Sequence, residues 1–225
     1  MFFTGLYSKK AAIAHLTIIY LVFVVFILAS IASYPGNYSI LTNAISNLGN
    51  LDQNPFPGWL FFSIGLWILG PLVFPHYLYQ YRALKAAQKY FATIFLVISV
   101  IICIGIIGVG MFSEVDQTFL EHVIFAVMAF GGLFFAGIIS WIPLIIIAIR
   151  EKARRKRLLL RGIVALMMLI LVGTAVVTAW VYLSVKLNGV PESGLFSISF
   201  WEWMLFFAVG IHSFLLTAVI NFRSV

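Results

Sequence analysis

Long apolar runs, separated by short polar segments, extend over almost the whole chain. A membrane-spanning helix needs roughly 20 apolar residues, because ~30 Å of hydrocarbon is crossed at ~1.5 Å per residue. Six runs satisfy this length. The pattern therefore predicts an all-α polytopic membrane protein, a bundle of six transmembrane helices, with spans 1 to 6 at residues 11–33, 58–79, 91–112, 119–149, 158–185 and 201–222.

The composition supports the same class of protein. The chain of 225 residues is 63% hydrophobic and only 9% charged, with a mean hydropathy of +1.11. Because a soluble domain is typically about 25% charged, the chain is too apolar to be one. The connectors are short and no internal repeat is visible, so we predict a single six-helix transmembrane domain over residues 1–225. Span 1 is longer than the roughly 7 to 15 residues of a signal-peptide core, and we expect it to remain in the mature protein.

The distribution of charge predicts the orientation of the bundle. Thirteen of the fourteen Lys and Arg residues fall on one side of the predicted spans, and by the positive-inside rule that side is cytoplasmic. Both termini are therefore expected in the cytoplasm, whereas six of the seven Asp and Glu residues lie on the outer side. We predict an integral, multi-pass membrane location, in the plasma membrane if the source is prokaryotic. The sequence does not identify the membrane.

A basic patch is predicted at the inner leaflet, between spans 4 and 5. Two interpretations remain open: it binds anionic lipid headgroups, at about 1 kcal/mol per basic residue, or it only determines topology. Because the patch lies against a membrane, anionic lipid is a simpler partner for it than nucleic acid, and we predict no nucleic-acid binding. The patch consists of Arg150, Lys152, Arg154, Arg155, Lys156 and Arg157.

A small polar island, "NAISNLGN" at residues 43–50, interrupts the apolar pattern on the outer side. If an outer-face site exists, this loop is expected to form its lid or one wall. Carboxylates with a histidine suit zinc or acid–base chemistry, but no metal-binding or nucleophile motif has the required spacing. We therefore predict no metal, no cofactor and no assigned catalytic residue. The candidate outer-face polar pocket consists of Ser46, Asn47, Glu114, Asp116, His122 and Glu202.

His212 is the one histidine predicted near the bilayer midplane. It follows Glu202 by ten residues, which is about 15 Å of helical rise. A polar side chain at that depth should face the bundle and find a partner, either as structural support between helices or as a functional group. His15 and His76 lie near the inner ends of spans 1 and 2, where we expect an interfacial position.

Small residues predict how spans 3 and 4 meet. Ser99, Cys103, Gly105 and Gly108 make one side of span 3 small, and small residues also recur along span 4. In lipid such surfaces allow close backbone approach, so the two spans are expected to form a tight antiparallel pair. Span 4 is long and contains Pro143, which predicts a tilt or kink there.

Five features, in order, resemble the DRAM/FRAG/SFK family of six-helix membrane proteins and its prokaryotic relatives of unknown function. They are "ISNLG" at residues 45–49 with the following prolines, "GIIGVGMF" at 105–112, "EHVIFAVMAFGG" at 121–132, "WEW" at 201–203, and Thr217 with residues 222–223. The resemblance implies membrane-lipid biology: remodelling of lipid anchors, modulation of autophagy, and support of phosphoinositide metabolism or lipid asymmetry. Eukaryotic members usually carry Pro-Tyr where Asn43-Ala44 stands here, which favours the prokaryotic branch. The family supplies no catalytic residue to transfer.

Three functional hypotheses follow. The leading one is a non-catalytic membrane protein that binds lipid or a partner membrane protein through the outer-face polar pocket. The second is an intramembrane lipid-modifying enzyme, such as a metal-assisted hydrolase that uses His122 with nearby carboxylates. The third is a small transporter with His212 as its midplane site, which inverted repeats would support, although the sequence shows none.

Overall fold

The structure, a computed structural model, describes residues 5–115, 117–189 and 194–220. Within these ranges the fold is all-α and contains no strand, as predicted. Six helical runs are long and apolar enough to cross a membrane. The helices are α1 (Lys9–Ala32), α2 (Gly58–Lys85), α3 (Lys89–Met111), α4 (Phe119–Ala126), α5 (Gly132–Arg150), α6 (Arg154–Asn188) and α7 (Ile198–Val219).

Three helix starts are marked by side chains that accept hydrogen bonds from free backbone N–H groups. Ser8 accepts from Ala11 N–H ahead of α1, and Gln88 accepts from Tyr90 N–H at α3. Ser197 caps α7 in the same way. Such side chains satisfy donors that have no partner inside the helix.

Most predicted span limits agree with the helices to within four residues. The largest difference is at α2, which continues six residues beyond the predicted end at residue 79, to Lys85. Its last turn carries Arg82 and Lys85, because basic side chains suit both the helix C-terminus and the inner interface. The apolar run therefore ends before the helix does.

The fourth span consists of two α-helices joined by a π turn. Residues Val127–Gly131 form this turn between α4 and α5, whereas Pro143 lies inside α5. α5 continues through Pro143 without a break, and the irregular turn of this span lies nearer its outer end. No local signal in the sequence indicated the π turn.

The predicted close pairing of spans 3 and 4 is confirmed. A Cβ added to Gly105 would lie 2.5 Å from the backbone nitrogen of Ala129, inside the π turn. A Cβ on Gly108 would meet the Phe125 ring at 2.2 Å. The small residues of α3 therefore allow backbone contact with the fourth span.

The bundle has an inner set of helices and one peripheral helix. α2 packs against α1 and α3, and α3 packs against α4 and α5, while α7 contacts α1, α5 and α6. α6 is the least buried of the six candidate spans. Of its 18-residue apolar stretch, 17% is buried inside the protein, against 33–50% for the corresponding stretches of the other five spans. α6 therefore presents most of its surface to lipid.

Candidate functional site

The first outer loop, residues 43–50, is held against the bundle by the side chain of Asn54. Asn54 Nδ2 donates hydrogen bonds to the Leu48 carbonyl oxygen at 2.8 Å and to the Ser30 hydroxyl at 2.9 Å. Asn54 is fully buried and touches the start of α2, where a Cβ on Gly58 would lie 1.9 Å from its Oδ1 atom. The asparagine joins the loop, α1 and α2 at one point.

The same loop is tied to the segment that follows α3. Ser113 Oγ donates to the Gly49 carbonyl oxygen at 2.8 Å and accepts from Leu51 N–H at 3.0 Å. Asn50 Nδ2 donates to the Glu114 carbonyl oxygen. The end of the loop is therefore fixed by side chains from the loop itself, Asn50, and from the segment after α3, Ser113.

Tyr38 and Trp203 hold the beginning of the loop. Trp203 Nε1 donates to the Asn43 carbonyl oxygen at 3.1 Å, and the Tyr38 hydroxyl donates to the Ala44 carbonyl oxygen at 2.8 Å. Burial raises the pKa of the Tyr38 hydroxyl, which keeps it a neutral donor. The loop is thus also anchored to α7.

Beneath the loop lies a narrow cavity between the helices, here called the outer cavity. Its volume is about 90 Å³. On α2 its wall extends from Phe62 to Tyr77, which corresponds to roughly 22 Å at ~1.5 Å per residue. Ser46, His122 and Glu202 form its polar outer end, and most of the remaining wall is aliphatic or aromatic. The cavity is a long, thin and mainly apolar slot with one polar end.

Three of the six residues predicted for the outer-face pocket line this cavity, namely Ser46, His122 and Glu202. Asn47 and Glu114 are half-buried and are not part of its lining. Asp116 lies outside the described residues. Ile45 and Ser46 bring the first outer loop into the cavity wall.

The polar end of the cavity presents hydrogen-bond acceptors. The Glu202 carboxyl group lies beside the backbone N–H and the hydroxyl of Ser46, and the charge of Glu114 also acts on it. His122 Nδ1 lies 2.8 Å from the Phe112 carbonyl oxygen and donates to it. Because a carbonyl only accepts, Nε2 of the neutral ring is left as an acceptor. The described lining contains no Lys or Arg, so this end favours a ligand group that donates hydrogen bonds or carries positive charge.

A metal centre needs several ligand atoms around one point, usually three or four for zinc. Within the described ranges, no group of three His, Cys, Asp or Glu side chains is placed to hold a metal ion. The described part of the outer cavity therefore gives the metal-assisted hydrolase hypothesis no ligand set.

The sequence profile of a protein family of unknown function, DUF998, matches residues 17–218. The chain belongs to the DUF998 family. No curated protein and no solved structure matches it. The DRAM/FRAG/SFK resemblance has no counterpart in the family match and stays a prediction.

His212 of the DUF998 protein is buried and faces the bundle. Its Nε2 atom accepts a hydrogen bond from Trp141 Nε1 at 3.0 Å, which links α7 to α5. This partner satisfies a polar group that would be costly in lipid. A buried partner on a neighbouring helix is what we expect if His212 serves as structural support between helices.

Removing this donor is expected to destabilise the DUF998 protein modestly. Trp141→Phe leaves His212 Nε2 without its partner, and we expect a loss of about 1 kcal/mol in the free energy of unfolding. The unfolding transition in detergent micelles measures this loss. Trp180→Phe makes the same change at an exposed position on α6, and equal effects of the two substitutions would show that the hydrogen bond contributes nothing.

A buried polar cluster joins α2 and α7 of the DUF998 protein, and the sequence analysis did not anticipate it. His76 Nε2 lies 2.9 Å from Thr217 Oγ1 and 3.1 Å from Gln80 Nε2. Gln80 also donates to Thr217 Oγ1 at 3.1 Å. His76 and His15, which the sequence places near the inner ends of spans 2 and 1, are both buried by protein. The spacing of His76 and Gln80, four residues apart on one helix face, was the available signal.

The inner-leaflet basic patch of the DUF998 protein divides into two groups. Arg150, Lys152 and Lys156 line a second cavity, together with Lys9 of α1, at the end of the bundle that is predicted to face the cytoplasm. The other three patch residues, Arg154, Arg155 and Arg157, are not part of that lining. Half of the six predicted patch residues therefore share one cavity, and the other half do not.

Proposed function

We propose that this DUF998 protein is a non-catalytic membrane protein that binds a single-chain amphiphile in the outer cavity. The apolar chain of the ligand lies along the slot, and its head lies beside Ser46, His122 and Glu202. The observation that carries the proposal is the amphipathic character of one continuous cavity, polar at its outer end and apolar along its length.

The dimensions of the outer cavity favour one unbranched chain. A volume of about 90 Å³ spread along the α2 wall from Phe62 to Tyr77 leaves a narrow cross-section. Such a slot suits one unbranched chain better than a fused ring system or a lipid with two chains. Apolar walls favour a hydrocarbon chain over a column of water molecules, because each water needs two to four polar partners.

The polar end favours a head that donates hydrogen bonds. The Glu202 carboxyl group and His122 Nε2 are acceptors, and Glu114 adds negative charge nearby. A hydroxyl or an amine pairs with acceptors, whereas a deprotonated phosphate or carboxylate offers only further acceptors. We therefore expect an alcohol or amine head on the ligand.

The other hypotheses have less support. A metal-assisted hydrolase would need a metal-binding group, and within the described residues no three His, Cys, Asp or Glu side chains are placed to hold a metal ion. A transporter with His212 at its centre would need that side chain to reach a substrate, but its Nε2 atom is engaged by Trp141. The DRAM/FRAG/SFK resemblance agrees with a role in membrane-lipid homeostasis, and a partner protein at the outer face is the remaining form of the leading hypothesis.

A photoreactive chain tests the proposal directly. A long-chain alcohol with a diazirine at its tail end is added to the purified protein in detergent micelles, and labelled residues are mapped by mass spectrometry. We expect labelling at the inner end of the outer cavity, near Tyr20 and Tyr77. The matching amine should label the same positions, and the matching fatty acid should label them several-fold less.

A cavity-filling variant supplies the control. Ala126→Leu narrows the outer cavity, whereas Ala14→Leu adds the same atoms at an exposed position on α1. Labelling near Tyr77 should fall several-fold in the first variant and stay unchanged in the second. Equal labelling in both variants, or labelling spread over lipid-facing residues such as Ile18, would contradict the proposal. Release of cleaved products from an ester analogue would instead favour the enzyme.

A further inference from the structure

A second cavity, here called the inner basic cavity, lies where the cytoplasmic ends of α1, α2, α5, α6 and α7 meet. Its volume is about 750 Å³, far larger than that of the outer cavity. Lys9, Arg150, Lys152 and Lys156 line it. Lys9 begins α1, whereas Arg150, Lys152 and Lys156 lie at the junction of α5 and α6. The cavity is therefore a product of the fold and not of the basic run alone.

The charge inside the inner basic cavity is predominantly positive. Glu151 also lines it, but its Oε1 atom accepts a hydrogen bond from Ala153 N–H at 3.0 Å, just before α6. α6 begins at Arg154 without a side-chain cap, so the positive end of its dipole adds to the field of the basic side chains. Lys9 Nζ donates to the Ala218 carbonyl oxygen, which holds α1 beside α7 at this wall.

The wall between the charges is apolar. Ile147, Leu160, Ile163 and Val219 line the inner basic cavity from three helices. A charged rim above an apolar wall, at the inner end of the spans, matches the boundary between a lipid headgroup and its chains. A free phosphate would meet the same charges but would gain nothing from the apolar surface.

We propose that the inner basic cavity binds the phosphate-bearing headgroup of one anionic phospholipid of the inner leaflet. Arg150 contacts the phosphate from the end of α5, Lys152 from the connector between α5 and α6, and Lys156 from the first turn of α6. The glycerol region lies on the apolar wall. This site is independent of the outer cavity, which selects a head of the opposite chemical kind.

Native mass spectrometry of the full-length protein, titrated with phosphatidylglycerol or phosphatidylcholine, tests the site. We expect one phosphatidylglycerol to bind more tightly than phosphatidylcholine. The double substitution Lys152→Gln/Lys156→Gln should weaken phosphatidylglycerol binding roughly tenfold or more. The matched control Arg154→Gln/Arg155→Gln removes the same charge from neighbouring exposed residues outside the cavity lining and should weaken binding less than twofold.

Each other outcome overturns a defined part of the proposal. Equal weakening by the two double substitutions would show diffuse surface attraction instead of a site. Displacement of phosphatidylglycerol by inorganic phosphate, with phosphate binding also lost in the lysine variant, would assign the cavity to a soluble phosphate compound. If the lysine variant does not fold, Arg150→Gln with its own titration replaces it. Labelling of the outer cavity by the long-chain alcohol should be unchanged in all these variants, so the two proposals can fail separately.

Discussion

Asn54→Asp is expected to lower the free energy of unfolding by roughly 3 kcal/mol, although the two side chains are nearly isosteric. The substitution exchanges the Nδ2 donor for an oxygen that faces the Leu48 carbonyl oxygen and Ser30 Oγ. Asn54 is fully buried, and its Oδ1 atom already lacks a hydrogen-bond partner among the described residues. An ionised carboxyl group there would be buried, unpaired and opposed by a carbonyl dipole.

The loss should depend on pH in a defined direction. Burial raises the pKa of the introduced carboxyl group above its unfolded value near ~3.9. The destabilisation therefore grows as pH rises above that value and is partly relieved at lower pH, where the group is neutral. Unfolding transitions in detergent micelles at several pH values measure this. Asn37→Asp, at an exposed loop position, is the control, and a similar small effect of both substitutions would show that the Asn54 contacts are not important.

Gly105→Ala is expected to destabilise the bundle by about 2 kcal/mol through one methyl group. The added Cβ would lie 2.5 Å from the Ala129 backbone nitrogen and 2.9 Å from the Met128 carbonyl carbon. Backbone atoms cannot rotate aside as a flexible side chain can, so α3 and the π turn must separate. Overpacking of this kind typically costs 1–3 kcal/mol.

The control for this prediction is the same substitution at a glycine with free space. Gly173 lies in α6 and has no atom within 4 Å of an added Cβ. Gly173→Ala should be neutral or slightly stabilising, because alanine is the better helix former. Thermal unfolding in one detergent compares the two variants. Equal unfolding temperatures would refute the close contact of α3 with the fourth span.

The sequence predicted the helices well because each span leaves a strong local signal. Twenty consecutive apolar residues are visible without any knowledge of neighbours. The limit of α2 was less accurate because the helix continues past its apolar run, through Arg82 to Lys85. For the same reason His76 was placed near the end of a span, whereas it lies well inside a helix and is covered by α7.

The site could be predicted only in part, because its composition depends on helix rotation and on contacts distant in sequence. His122 and Glu202 were placed in one outer layer from helix ends alone, and both line the outer cavity. Asn47 and Glu114 occupy the same layer, but the loop that carries Asn47 is fixed by Asn54 and Ser113. The π turn packs against Gly105, a contact between residues distant in sequence. Local patterns contain none of this information.

The hydrogen bonds that hold residues 43–50 also bear on how a ligand would enter the outer cavity. On the side covered by this loop, donors from Asn54, Ser113 and Trp203 fix the backbone at three points. Opening this side to external water would break several of these bonds together. A ligand would therefore exchange more readily sideways, between helices and directly with the bilayer. The protein would then sample molecules according to their concentration in the lipid, and solutes in the surrounding water would rarely compete.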